Sequence, residues 1–371
     1  MSIRIPVLAL AALAVSAQIA VAGSGYSRST ANTDILWEDG TVNFDATATY
    51  ADPNRKFDKN AVPALNGTEY SKPYWVPNIA AKYSFSENAA CELTYTTPYG
   101  ADSHFDVMNN RGKTDEKFDT KEYGAACALF IPVGPGRLGF IGGVFYEEFS
   151  YDFEGFTRVG PFLTPLDFGV DSHDWGWRAG IGYEIPEYAF RAQLLYRSGT
   201  SHEGSSTGSL PAFGLTVPVS ASGELPQSVE FKVQTGVAPN WIVFGSVKWT
   251  DWSVLDTLDL NLGGQKFANY YYWRDGISAT AGVGHQFTDR LSGAVTLAYD
   301  RGVSTGWDLY GDQYTVGLTA AVKDDFNGEW KLSVAAAYLE AEQETKYAPG
   351  QNSSSQGTWG YGLQLGYKIK F

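Results

Sequence analysis

Past residue 22 the chain lacks any continuous apolar run long enough to cross a bilayer as a helix, a span that takes about 20 residues. That leaves a soluble chain or a β-barrel. Cysteine is scarce: Cys91 and Cys127 are the only two, too few for a disulfide scaffold or a cysteine-ligated metal. The four histidines, His104, His173, His202 and His285, are scattered without ligand spacing, and none stands beside a serine in a recognisable nucleophile motif. No metal, cofactor or enzymatic activity is read from them. Cations are also in the minority, 27 Lys and Arg against 41 Asp and Glu for a net charge of −14, which argues against a nucleic-acid partner.

What the chain does have is aromatics, 15% of residues, and 41 glycines, as expected for the interfacial girdles and small lumen residues of a membrane barrel. The last stretch, WGYGLQLGYKIKF (359–371), alternates large apolar residues with small or polar ones. A period of two is a strand with one greasy face and one wet face. At the other end, MSIRIPVLALAALAVSAQIAVAG combines Arg4, an apolar run and an Ala20-Val21-Ala22 cleavage site, which reads as a secretory signal peptide over residues 1–22. Export places the cysteines, on neighbouring strands of one hairpin, in an oxidising setting. They read first as two small apolar side chains, with a disulfide as the alternative.

Alternating segments recur at 42–51, 78–85, 89–97, 121–133, 138–153, 175–185, 188–198, 229–237, 241–260, 277–287, 291–300, 314–322, 329–342 and the C-terminus. Tight turns at 86–88, 134–137, 186–187, 238–240, 288–290 and 323–328 interleave with long loops at 98–120, 154–174, 199–228, 261–276, 301–313 and 343–357. Short turns on one side and long loops on the other are the asymmetry of an outer-membrane barrel, periplasm against exterior. The predicted fold is all-β: a transmembrane antiparallel β-barrel of about 14 strands over residues 42–371, preceded by a short N-terminal hatch at 23–41. Charges on the lipid face cost about 2–4 kcal/mol at the midplane, so Arg178, Arg191 and Arg197 should be luminal. There they form either a basic patch or pairs with luminal carboxylates such as Glu184, and pairing is the favoured reading. His285 shares a face with Val283 and Phe287, which puts it near the membrane interface.

Several stretches together resemble the FadL-like outer-membrane transporters of long-chain fatty acids and aromatic hydrocarbons. They are VPNIAAKYSFSENAACELTYTTPYGADSHFD (76–106), LLYRSGTSHEGSSTG (194–208), LPQSVEFKVQTGVAPNWIVFGSVKWTDWSVLDTL (225–258) and YYWRDGISATAGVGHQFTDRLSGAVTLAYDRG (271–302). The resemblance implies an N-terminal plug, capture of an apolar ligand outside, and sideways release into the membrane at a kinked third strand. The matching kink is Pro98-Tyr99-Gly100, where Pro98 cannot donate a ladder hydrogen bond and Gly100 permits a bend. One departure stands out: the family's hatch is longer and carries an N-P-A-like motif that is absent here. The plug is then smaller and the lumen partly open, or an outer loop substitutes.

The expected function is passive outer-membrane uptake of hydrophobic compounds, with small apolar molecules or fatty acids, outer-membrane lipids and the barrel insertion machinery as partners. The alternative is a porin-like general diffusion channel with an incomplete plug. The unusually apolar loops 159–170 and 209–219 suggest a capture groove walled by Phe162, Leu163, Phe168, Leu210, Phe213 and Leu215. Arg158, Arg197 and Arg274 are candidate cations for a carboxylate, Arg274 resting on the W-R-D-G resemblance. The terminal aromatic, Phe371, resembles the signal read during barrel assembly.

Overall fold

Residues 23–371 are described by the computed structural model, and the predicted signal peptide, residues 1–22, lies outside the described residues. Fourteen antiparallel strands close into one barrel. They are β1 (Val42–Asp52), β2 (Tyr74–Ser86), β3 in two pieces (Ala89–Thr96 and Gly100–His104), β4 (Lys113–Val133), β5 (Gly136–Val159) and β6 (Phe162–Ile185). The next four are each broken once: β7 (Phe190–Arg197, Thr200–Leu210), β8 (Leu215–Leu225, Ser228–Ala238), β9 (Trp241–Thr250, Thr257–Leu262) and β10 (Gln265–Tyr270, Gly276–Gln286). The ring is completed by β11 (Leu291–Asp300), β12 (Gln313–Lys323), β13 (Gly328–Leu339) and β14 (Thr358–Lys370), with Asn43 of β1 opposite Lys370 of β14. Closure satisfies the strand edges that a bilayer would otherwise leave without partners.

Alternation decides which way each side chain points. On β14, Trp359, Tyr361, Leu363 and Leu365 are exposed on the outside, while Gly360, Gly362, Gln364 and Gly366 face in. Exposed apolar residues of this kind mark the lipid-facing band. Ring contacts border it on both sides: Tyr95–Tyr123 and Tyr146–Trp175, each at 5.2 Å, towards the exterior, and Trp330–Tyr367 at 4.6 Å and Trp241–His285 at 4.2 Å towards the short turns. His285 thus belongs to the periplasmic girdle.

β5 and β6 are 24 residues each, roughly 80 Å if straight, whereas about 9–11 residues cross a bilayer. Their apolar face changes sides on the way. On β5, Phe140, Val144 and Tyr146 point outwards at membrane level; beyond Tyr146 the outward positions become Glu148, Ser150, Asp152 and Glu154, and Tyr151 and Phe153 are buried inside. The segments 154–174, 199–228 and 261–276, expected as loops, are therefore hairpins that prolong the barrel wall into the exterior. Their alternation persists with inverted polarity, so outward Gly, Ser and Asp residues imitate loop composition. The inward faces meet in a core that includes Tyr151, Phe168, Val170, Leu210, Val219 and Leu260.

The N-terminal segment enters this interior. A short 3-10 helix, Thr33–Trp37, sets Leu36 and Trp37 against Ala90, Ala126, Ala128, Phe130 and Ile141. Asp34, also buried, receives Lys232 Nζ at 2.8 Å, the Arg191 guanidinium at 3.5 Å and the Gln193 amide. At the periplasmic mouth Glu38 pairs with Lys368, and its carbonyl accepts from Lys82.

The cysteines correct the reading that favoured unpaired side chains. Cys91 and Cys127 lie directly opposite on β3 and β4, Cα atoms 3.9 Å apart, and are joined as a disulfide on the outward face. Strand register sets this proximity, and register is not visible in a spacing of 36 residues.

Candidate functional site

Above the hatch, the inward faces of the prolonged hairpins enclose a cavity of about 110 Å³. Its walls are phenol rings, from Tyr26, Tyr70, Tyr151, Tyr271 and Tyr310, together with Phe118, Phe149 and three leucines. Tyr26 comes from the hatch and is the hub: its ring meets Trp273 at 4.6 Å, Phe118 at 4.9 Å and Tyr310 at 5.4 Å, all edge-on, the arrangement aromatic quadrupoles prefer. Gly25, with φ 61°, allows this approach, since a Cβ there would lie 2.7 Å from the Trp252 indole.

Polar side chains in the cavity wall are Glu116, Glu224, Ser103 and His202, beside the phenol hydroxyls. Glu116 receives Lys113 at 2.8 Å and the Tyr151 hydroxyl at 2.6 Å; burial pushes its carboxyl up, but Lys113 and the hydrogen bonds bring it below the usual range. Burial raises the Tyr271 and Tyr310 hydroxyls, so both stay neutral. Among the described residues, no Lys or Arg lines this cavity. It offers apolar contact and ring edges, and gives a carboxylate no cation.

His202 also reaches the cavity, stacked on Phe149 at 5.1 Å. It meets Ser172 Oγ at 2.9 Å, Thr200 Oγ1 at 3.2 Å and, at 3.9 Å, Glu147. The sequence gives no sign of this cluster, because its members lie on three strands. Ser172 sits mid-strand opposite Phe149, its backbone committed to the ladder, so it lacks the free amide pair of an oxyanion hole. The cluster is a buried polar network in which one Glu147 carboxylate oxygen is bonded by Arg197 and Thr200 and the other has no hydrogen-bond partner.

Below the cavity each luminal arginine has its carboxylate. Arg178 bonds Glu122; Arg197 reaches Glu122 at 2.8 Å and Glu147 at 2.9 Å; Arg191 goes to Asp34; Arg137 takes Glu184 at 2.5 Å. Pairing, the favoured reading, is what the structure contains, although Glu122, Glu147 and Asp34 lie far away in sequence.

The ladder of β3 breaks between Thr96 and Gly100. Above Asn78, β2 continues along β1 but has no register partner on β3. Hatch residues fill the seam from inside: Arg28 N–H donates to the Pro98 carbonyl at 2.8 Å, and Asn78 Nδ2 donates to the Thr30 carbonyl at 2.6 Å. Gly100 contributes room, because a Cβ there would collide with the Arg28 guanidinium, which pairs with Asp119 at 2.6 Å.

The expected groove residues divide. Phe162, Leu163, Phe213 and Leu215 are exposed at two hairpin tips, with Phe162 and Phe213 rings 6.4 Å apart. Phe168 and Leu210 are buried in the hairpin core, because they face inward on the prolonged wall. The three candidate cations are not brought together: Arg158 is exposed near the β5–β6 tip, Arg197 is held by its carboxylates, and Arg274 donates to the Gly302 carbonyl at 2.8 Å. The cavity tyrosines were not anticipated, since they lie on five separate segments.

A closed barrel with a lipid-facing band, an internal plug and an aromatic chamber on the outside defines an outer-membrane transport protein. Residues 167–356 match the family described as outer membrane protein transport protein (OMPP1/FadL/TodX), and the chain belongs to it. A long-chain fatty acid transport protein of Salmonella typhi is 23% identical, covering 87% of this chain and 84% of its own. The same-named protein of Escherichia coli K12 is 22% identical over the same shares. In fold, a Pseudomonas aeruginosa FadL homologue superposes with a TM-score of 0.75 at 15% identity, covering 91% of this chain and 92% of that one. The Pseudomonas putida toluene transporter TodX gives 0.66 at 13% identity, covering 95% and 97%.

Proposed function

We propose that this outer-membrane transport protein admits hydrophobic molecules passively and that neutral aromatic compounds suit it better than fatty acids. The observation that carries this reading is the tyrosine-lined cavity, where Glu116 is already matched by Lys113 and no Lys or Arg stands in the wall. Burial of a ring against ring edges favours a neutral guest, whereas a carboxylate would lose its water with no cation in return. The exposed apolar tips, Phe162, Leu163, Phe213 and Leu215, are the first contact for a ligand leaving water, and Phe168 and Leu210 hold the hairpins that carry them. Were a fatty acid to dock, Arg158 is the cation it would meet at the tip. Release runs sideways past Pro98, Tyr99 and Gly100 when the hatch lets go of the β2–β3 seam.

Uptake of labelled toluene and labelled oleate by cells lacking their own transporter, with the barrel at verified surface levels, tests this. Toluene uptake well above that of oleate is expected. Equal uptake would sink the preference for neutral cargo, and no uptake of either would sink hydrophobic transport. A diffusion channel is the second reading, favoured by a polar chamber of about 200 Å³ beside the hatch.

A further inference from the structure

That polar chamber has hydroxyl-bearing walls, among them Thr47, Thr49, Ser246, Ser278, Thr280 and Thr296, and it is large enough for several hydrogen-bonded waters. The hatch stands to one side of it. The buried face of its helix packs on β3, β4 and β5, and Asp34 is anchored on β7 and β8. Ser24 of the hatch meets the exterior end of the β9–β12 wall at Gly276 and Asp300, and its periplasmic end is left to other residues. Inward positions there are small towards the periplasm: Gly282, Gly284, Ala294, Gly317, Thr319 and Ala321. A wall so lined, with a short hatch, would leave a path along it from the chamber to the periplasm.

Two side chains of β9 point inward at the periplasmic end of this wall. Ile242 and Phe244, buried just inside the turn 238–240, cluster with Ala189, Ala294 and Ala321. The facing glycines are fitted to them. A Cβ on Gly282 would collide with the Phe244 ring, and one on Gly284 would lie 2.9 Å from Ile242. Ala189 belongs to the β6–β7 turn and reaches this cluster from the mouth of the barrel.

We propose that Phe244, with Ile242, is the second half of the plug: an apolar seal borne by the barrel wall that keeps the polar chamber from becoming an ion-conducting pore. A short apolar constriction stops ions because water does not wet it and an ion cannot shed its hydration there. The short hatch is thus compensated by side chains of the barrel, not by an outer loop.

The test is ion conductance of the purified, refolded full barrel in planar bilayers, read without any ligand, so that failure of the uptake reading does not disturb it. Wild type is expected to pass little steady current, and F244A to raise it by about tenfold or more. F244C should open likewise, and coupling a benzyl thiol reagent to the new cysteine should close it again, the native cysteines being tied in their disulfide. Should F244A fail to insert, F244L removes less volume and should give a smaller rise. Wild-type current equal to that of the variants would overturn the proposal, as would correctly inserted variants, confirmed by heat-modifiable mobility, that stay as tight as wild type.

Discussion

Asp308, in the loop between β11 and β12, accepts the Trp273 indole N–H and the Tyr310 backbone N–H. Burial pushes its carboxyl up to about 6. The folded state therefore holds this proton more tightly than the unfolded chain does. Its contribution is full below the ordinary carboxylate range and is lost as pH rises through about 6. Amides of 301–312, corrected for intrinsic rates, should exchange more slowly at about pH 4.5 than at about pH 7, and D308N should remove the difference. Equal protection at both pH values in the wild type would contradict it. At the hairpins, single residues separate capture from scaffolding. F168A should cost about 3–5 kcal/mol of barrel stability in detergent melts, as a truncated core aromatic does. Serine at Phe162, Leu163, Phe213 and Leu215 together should leave the melt nearly unchanged and cut toluene uptake; unchanged uptake would remove the tips from the capture path.

At the scale of elements, β3 and β4 are both hydrogen-bonded and covalently tied at Cys91–Cys127. Replacing both cysteines by alanine should lower barrel stability by about 2–4 kcal/mol, seen as an earlier heat-induced gel shift; an unmoved transition would mean that the ladder alone sets the local stability. The hatch depends on a different tie. D34A would take from the buried Lys232 and Arg191 the carboxylate they share, leaving Lys232 only Glu230 at 3.6 Å, a loss of about 3–5 kcal/mol, and should expose residues 23–41 to added protease. The strands of the membrane band were legible because outward apolar residues alternate there with small or polar inward ones, as with Gly, Gln and Lys in 359–371. The prolonged hairpins were not, since inverting the polarity kept the period and changed the composition. Phe244 was illegible for a related reason: inside the run Trp241-Ile242-Val243-Phe244 both faces are apolar, and only the facing glycines mark which side closes the lumen. Carboxylate partners of the arginines were hidden by sequence separations of 47 to 157 residues that only barrel closure and the hatch bring together.

For the whole molecule, Phe371 takes part in closing the barrel. The Phe371 backbone bonds Thr41 and Val42 of the first strand, at 2.9 and 2.8 Å, while its side chain stays 71% exposed. Deleting Phe371 is expected to lower the amount of barrel in the outer membrane far more than the amount exported, measured by fractionation; equal membrane levels would count against an assembly role. The reversal of the apolar face along β5 and β6 has a consequence for any cargo. Above the girdle of Tyr95, Tyr123, Tyr146 and Trp175 the oily side of the sheet is its inner surface; below, it is its outer surface. A guest that never leaves oil must change sides of the sheet at that latitude. The broken ladder of β3 starts there, one residue beyond Tyr95, so the gap in the wall's strand pairing and the frontier between the two oily regions coincide.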